Sequence, residues 1–229
     1  MQFRTISRGG QPHVVSQAPY DPATLGRDAL GLLDAIGAQR AVLVGHDWGA
    51  LIAYAAATLA PERIRAIVTL AIPHPSVLRR TPATLWAVRH FFALKLPWAA
   101  RSVRRGDFAY LDELYRRWSP GWSGPERDES LQNAKRALSS QVTLNGALDY
   151  YRLLPLGPTK LLDKPPSAPG LIVGSVSGLA GPELFRRTAE MLPPPSRALI
   201  ANADGHWPHR EDSATVVPEI LSYLAALPG

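Results

Sequence analysis

Four short apolar segments recur along the chain and predict strands: Ala41–Val44, Ile64–Leu70, Gly170–Gly174 and Arg197–Ala201. Short apolar runs bounded by turn residues are typical of buried strands. Apolar residues at helical spacing predict helices over residues 22–36, 50–59, 182–191 and 213–227. Because strands alternate with helices, the pattern predicts an α/β fold with a mainly parallel sheet.

Residues 76–165 have a different pattern. They combine several helical patterns with four tryptophans and show no strand alternation. We therefore predict three parts: residues 1–75 as the N-terminal part of the core, 76–165 as a helical lid insertion, and 166–229 as the C-terminal part of the core. The tryptophans of the insertion are expected to pack inside it or to line an apolar pocket.

Composition narrows the function classes. The 229 residues contain no cysteine, so disulfides and thiolate metal sites are excluded, and a cytoplasmic location is expected. We find no apolar run long enough to span a bilayer and no secretory signal, which predicts no membrane partner. The net charge of +6 is spread over separate arginine pairs rather than one stripe, which argues against nucleic-acid binding.

The sequence Gly45-His46-Asp47-Trp48-Gly49 lies between the first strand and an Ala-rich helix. A small-x-acid-x-small pentapeptide in that position predicts a nucleophile elbow with Asp47 as the nucleophile. Side chains at Gly45 or Gly49 are expected to collide across the tight turn. The competing interpretation is a strand-turn-helix connection with an incidental acid.

Four segments together resemble the α/β-hydrolase superfamily, in the branch of epoxide hydrolases and haloalkane dehalogenases. They are Gly45–Gly49, Ile72–Pro75, Leu148–Arg152 and Asp204–Pro208.

The resemblance implies that Asp47 attacks a substrate carbon and that His206 activates water to hydrolyse the resulting ester. It makes the Trp48 backbone N–H an oxyanion donor, with His46 and Trp207 as further oxyanion or substrate-binding residues. It implies no cofactor or metal, and a small apolar epoxide or halide as substrate.

Tyr151 matches the lid tyrosine that donates a proton to the opening epoxide oxygen, and the adjacent Tyr150 is its rival. Other interpretations stay open: His206 as a hydrogen-bonded loop residue and Trp48 as a core residue. His74 and His209 are expected to be structural.

Three departures from the family pattern predict impaired activity. Ser177 stands where the family places an acid that orients the base. Glu183 and Asp204 are weak candidates to replace that acid. Losing it can lower the rate about 10⁴-fold. No His-Gly-x-Pro oxyanion motif precedes Asp47, and an oxyanion donor is worth about 3 kcal/mol. About half of the sheet is missing on the N-terminal side, so the chain is interpreted as N-terminally shortened, with the Ala41–Val44 strand at an apolar edge.

A second lid tyrosine is not evident, and His90 lies near its expected place. The leading hypothesis is an epoxide hydrolase-like enzyme, impaired by these losses. Haloalkane or haloacid dehalogenation, a non-catalytic binding protein of the same fold and a truncated remnant are the alternatives. The sequence leaves a homo-oligomer open.

Overall fold

The structure, a computed structural model, describes residues 20–79, 81, 86, 88–153, 160–178 and 180–228. Within these residues the chain divides into two compact units. One contains the sheet and comprises residues 22–79, 118–122 and 160–228. The other is helical and comprises residues 20–21, 81–117 and 123–153. The boundaries at residues 75 and 165 stay a prediction, and residues 118–122 group with the sheet.

The sheet unit contains four parallel strands in the order β1-β2-β3-β4. Its strands are β1 (Ala41–His46), β2 (Ile64–Leu70), β3 (Gly170–Ser175) and β4 (Arg197–Ala201). Its helices are α1 (Pro22–Ala35), α2 (Trp48–Leu59), α7 (Pro182–Glu190), α8 (Pro208–Glu211) and α9 (Ser213–Ala225). The predicted α/β class and all four predicted strands are confirmed.

Both faces of the sheet are covered by helices. On one face Ile67 and Ile172 pack with α1, α2 and α7, and on the other Val68 and Val173 pack with α9. Neighbouring strand residues point to opposite faces, so a strand buried on both sides needs a continuous apolar run. This explains why Ala66–Val68 of β2 and Leu171–Val173 of β3 are apolar without alternation.

Strand β1 lies at an edge of the sheet formed by the described residues. It pairs with β2 over its full length, and the Val44 side chain is 57% exposed. The expectation that Ala41–Val44 forms an apolar edge is therefore confirmed for this part of the chain. Residues 1–19 lie outside the described residues.

The helical unit contains α3 (Arg89–Lys95), α4 (Ala99–Trp118), α5 (Pro125–Ser139) and α6 (Gln141–Arg152). Helix α4 is interrupted at residues 105–108, and its last residue, Trp118, groups with the sheet unit. Its core joins Leu94, Ala99, Val103, Leu144 and Leu148. Trp86 and Trp98 are 69% and 60% exposed, so the expectation that the tryptophans pack inside the insertion is wrong for these two, and the alternative that they line an apolar pocket stays a prediction. Aromatic content alone does not report which face of a helix is buried.

Among the described helices, none is both long and apolar enough to cross a bilayer.

His74 is fully buried next to the sheet. Its Nδ1 lies 2.8 Å from Ser76 Oγ, and its ring meets the Tyr54 ring at 4.9 Å. Burial lowers the pKa of His74 from 6.5 to about 4 because the charged imidazolium loses its hydration. These contacts agree with the expectation that His74 is structural.

This pKa shift predicts acid sensitivity. Between pH 6.5 and about 4 the unfolded chain binds a proton at His74 that the folded chain does not. Stability therefore falls as pH falls through this window, by up to about 1.4 kcal/mol per pH unit from this residue. Urea denaturation at several pH values should give a shallower pH slope for His74→Gln than for the wild type. An unchanged slope would contradict the assignment.

Candidate active site

Asp47 occupies a strained turn between β1 and α2. Its backbone angles are φ 55° and ψ −119°, a region that residues other than glycine rarely adopt. The Asp47 N–H donates to the Leu70 carbonyl at 3.2 Å, and the Asp47 carbonyl accepts from the Ala50 N–H at 2.9 Å. The turn is thus fixed on both sides, and the side chain remains about one-fifth exposed. Strain of this kind costs about 1–3 kcal/mol and is frequent at functional sites.

The two glycines of the turn differ in their need for space. A Cβ on Gly45 would overlap the carbonyl group of Gly49, so the expectation for Gly45 is confirmed. A Cβ on Gly49 would meet nothing within 4 Å, so the expectation for Gly49 is wrong. The reason is that Gly49 contributes its backbone to the close contact, while its own missing side chain would point into open space.

The His206 loop, defined as Asn202–Trp207, crosses the carboxyl end of β3. Ser175 Oγ donates to the Gly205 carbonyl at 2.5 Å, and the Ser177 N–H donates to the Ala203 carbonyl at 3.4 Å. Ser177 therefore lies beside the loop, at the end of β3. These bonds direct the loop from β4 toward the end of β1.

The loop brings His206 to Asp47. His206 Nε2 lies 2.5 Å from Asp47 Oδ2, and the His206 side chain is only 4% exposed. Among the described residues, Asp47 is the only carboxylate within 4.0 Å of a His206 ring nitrogen. Glu183 instead pairs with Arg186 at 3.8 Å. An aspartate and a histidine 159 residues apart are thus in direct contact.

His46 connects β1 to the same loop. Its Nε2–H donates to the His206 carbonyl at 2.7 Å, and its ring lies 4.8 Å from the His206 ring and 4.9 Å from the His209 ring. Burial, followed by the neighbouring His206, lowers the pKa of His46 to about 3. Burial likewise lowers the pKa of His209 to about 4. Both rings are therefore neutral at pH 7, and His46 carries its proton on Nε2.

The two candidate tryptophans are both buried. Trp48 is the first residue of α2 and is 6% exposed. Trp207 packs against the rings of His206, Trp118 and Trp122, at centroid distances of 5.2, 6.1 and 5.5 Å. An aromatic cluster thus surrounds His206 on the side of residues 118–122.

Three residues beside the His206 loop were not assigned to the site from the sequence: Ser119 and Glu211 were missed, and Trp118 was expected only to pack or to line an apolar pocket. The Trp118 ring lies 4.9 Å from the His206 ring, Ser119 Oγ accepts the His206 N–H at 2.9 Å, and Glu211 Oε1 accepts from Ser119 Oγ at 2.6 Å. No local pattern indicates Ser119, because it lies 87 residues from His206 in the chain. The only signal for Glu211 was an acid four residues after Trp207, at the start of a helix.

The lid candidates lie in the helical unit. Tyr151 is on α6, with its ring 5.1 Å from Phe91 and 5.9 Å from His90. Tyr150 faces Tyr20 at 4.9 Å. His90 and Tyr151 are therefore neighbours, and the assignment of Tyr151 as proton donor stays a prediction.

No group of three or more histidine, aspartate or glutamate side chains within the described ranges is arranged to hold a metal ion. A surface cavity of about 790 Å³ in the helical unit is lined by Ala100, Arg101, Arg104, Arg105 and Gln141. It includes none of the predicted site residues.

Comparison with known proteins gives a consistent family. Residues 13–153 match the model of the alpha/beta hydrolase fold family. Epoxide hydrolase A of Mycobacterium tuberculosis is 28% identical over 96% of this chain and 79% of its own length. The AB hydrolase superfamily protein YfhM of Bacillus subtilis is also 28% identical, over 97% of this chain and 80% of its own length.

A solved structure shows the same fold. An epoxide hydrolase from Bacillus megaterium, crystallised in complex with an inhibitor, superposes with a TM-score of 0.71 at 20% identity, covering 90% of this chain and 76% of that one. The chain belongs to the α/β-hydrolase fold family, as an epoxide hydrolase-like member.

The glycine geometry predicts opposite effects of two alanine substitutions. Gly45→Ala should destabilise the protein by about 2–3 kcal/mol because its Cβ overlaps backbone that cannot easily move. Gly49→Ala should be neutral or stabilising by up to about 1 kcal/mol, because alanine favours the helix and meets open space. Urea denaturation measures both, and equal losses would contradict this account of the turn.

Proposed function

We propose that this protein is a hydrolase of small apolar epoxides that uses Asp47 as its nucleophile. The observation that carries the proposal is the 2.5 Å contact between Asp47 Oδ2 and His206 Nε2 at a strained strand-helix turn. A carboxylate is ionised near neutral pH, so Asp47 can attack carbon without a base. Similarity to proteins named epoxide hydrolases supports the substrate class.

In the first step an Asp47 oxygen forms a bond to an epoxide carbon while the carbon–oxygen bond of the ring breaks. The electron pair goes to the epoxide oxygen, which takes a proton and becomes a hydroxyl group. The product of this step is a hydroxyalkyl ester of Asp47. We assign the proton to Tyr151, by its motif position, with Tyr150 as the rival.

In the second step His206 Nε2 removes a proton from water, and the oxygen adds to the carbonyl carbon of the ester. The Trp48 backbone N–H is proposed to donate to the developing oxyanion. The ester bond then breaks, the released diol oxygen takes the proton left on the attacking water oxygen, and Asp47 is a carboxylate again. The proton that His206 removed from water returns to the tyrosine that protonated the epoxide oxygen, so all three groups are restored. The short distance between His206 and Asp47 supports this role, because it places the base beside the carbon that water attacks.

The second step is proposed to be the slow one. In the family pattern an acid orients the base and stabilises the imidazolium, and here Ser177 stands in its place. Losing such an acid slows a serine hydrolase about 10⁴-fold. Ester formation does not need His206, so this loss should act on hydrolysis of the ester alone.

If the ester forms faster than it is hydrolysed, it should accumulate. Incubation with styrene oxide should raise the intact mass of the wild type by one substrate molecule, and His206→Gln should hold that adduct longer. Asp47→Asn should form none, because an amide is a poor nucleophile.

In the same assay Tyr151→Phe should slow ester formation more than Tyr150→Phe.

The adduct should map to the peptide that contains Asp47. The same assay with a haloalkane such as 1-bromobutane tests for dehalogenation. Faster ester formation with the haloalkane than with the epoxide would show that the protein is a dehalogenase. A folded wild type that forms no adduct and no diol would refute both reactions and favour a non-catalytic binding protein.

A further inference from the structure

The backbone of His206 is held on both sides by side chains. Its N–H donates to Ser119 Oγ at 2.9 Å, and its carbonyl accepts from His46 Nε2 at 2.7 Å. Ser119 is 2% exposed, so water does not compete for its hydrogen bond with the His206 N–H. Two side chains from distant parts of the chain therefore fix the peptide groups on either side of the base.

Glu211 joins this arrangement to the rest of the loop. Its Oε1 accepts from Ser119 Oγ at 2.6 Å and from the Trp207 N–H at 2.9 Å, and its Oε2 accepts from the Asp204 N–H at 3.0 Å. Hydrogen bonds to a carboxylate are about twice as strong as neutral ones. A single charged group thus fixes peptide groups on both sides of His206.

Close packing reinforces these bonds. A side chain on Gly205 would overlap the Trp118 carbonyl, and a side chain on Gly121 would overlap the Asp204 carboxylate. The Trp118 and Trp207 rings contact the imidazole at 4.9 and 5.2 Å. The loop therefore has little freedom to move away from residues 118–122.

We propose that Ser119 and Glu211 are positioning residues that aim the His206 imidazole at Asp47 through the backbone of the His206 loop. They supply the orientation that a carboxylate bound to the ring would otherwise give. The kinetic part of this inference rests on the proposed function. Because only the second step uses His206, loss of either residue should slow hydrolysis of the Asp47 ester and leave its formation unchanged.

Glu211→Gln tests the inference, with Asp212→Asn as its matched control. Asp212 also accepts a backbone N–H of the loop, that of Asn202 at 2.9 Å, whereas the Ser119 hydroxyl and the Trp207 N–H donate to Glu211. After loading with styrene oxide and removal of free epoxide, the ester should decay about 100-fold more slowly in Glu211→Gln than in the wild type, since misplacing a group by about 1 Å costs that much. Asp212→Asn should match the wild type, and Ser119→Ala should resemble Glu211→Gln.

A second readout requires no chemistry. The ring signals of His206, assigned by their loss in His206→Gln, should shift and broaden in Glu211→Gln in proton–carbon NMR spectra of the full chain. They should stay in place in Asp212→Asn. Thermal denaturation of each variant confirms that it is folded.

Equal effects of Glu211→Gln and Asp212→Asn, on ester decay or on the His206 signals, would overturn the positioning role. Failure of the wild type to form any ester would instead refute the proposed function, and the NMR comparison would still decide whether Ser119 and Glu211 position His206.

Discussion

The contact between Asp47 and His206 is the constraint on which the rest of the sheet unit depends. Asp47 follows β1 and His206 follows β4, at opposite edges of the four described strands. Three strand spacings separate those edges, roughly 14 Å. The His206 loop crosses this distance over the end of β3, with Ser175 and Ser177 holding it on the way. His46 then connects it to the strand that carries Asp47.

The groups around His206 fix the orientation of its imidazole ring more than they stabilise a positive charge on it. The described structure places its ring against aromatic groups and Asp47, while the Glu211 carboxylate acts on the peptide groups of the loop. A histidine held in this way is well placed to take a proton from water beside an ester of Asp47. It receives less help in carrying the positive charge that follows, which is why we propose hydrolysis of the ester as the slow step.

Local patterns predict the four strands and the helices around them, and they mark Asp47 and His206 as candidate site residues. Runs such as Ile64–Leu70 identified buried strands, and the glycine-flanked Asp47 and the loop around His206 stood out at the ends of strands. Ser119 was not predictable, because its role arises only when residues 118–122 group with the sheet unit. Gly49 and the exposed Trp86 were also not predictable from residue type. The sequence does not tell whether a Cβ on Gly49 would meet other atoms, or whether the Trp86 side chain is buried.

We propose that water attacks the Asp47 ester and not the epoxide itself. A single turnover in water enriched in oxygen-18, with protein in excess over styrene oxide, tests it most directly. We expect the diol to carry no label, because its new oxygen comes from the Asp47 carboxylate, and we expect the label to appear in the peptide containing Asp47. Label in the diol after one turnover, with none in that peptide, would contradict it.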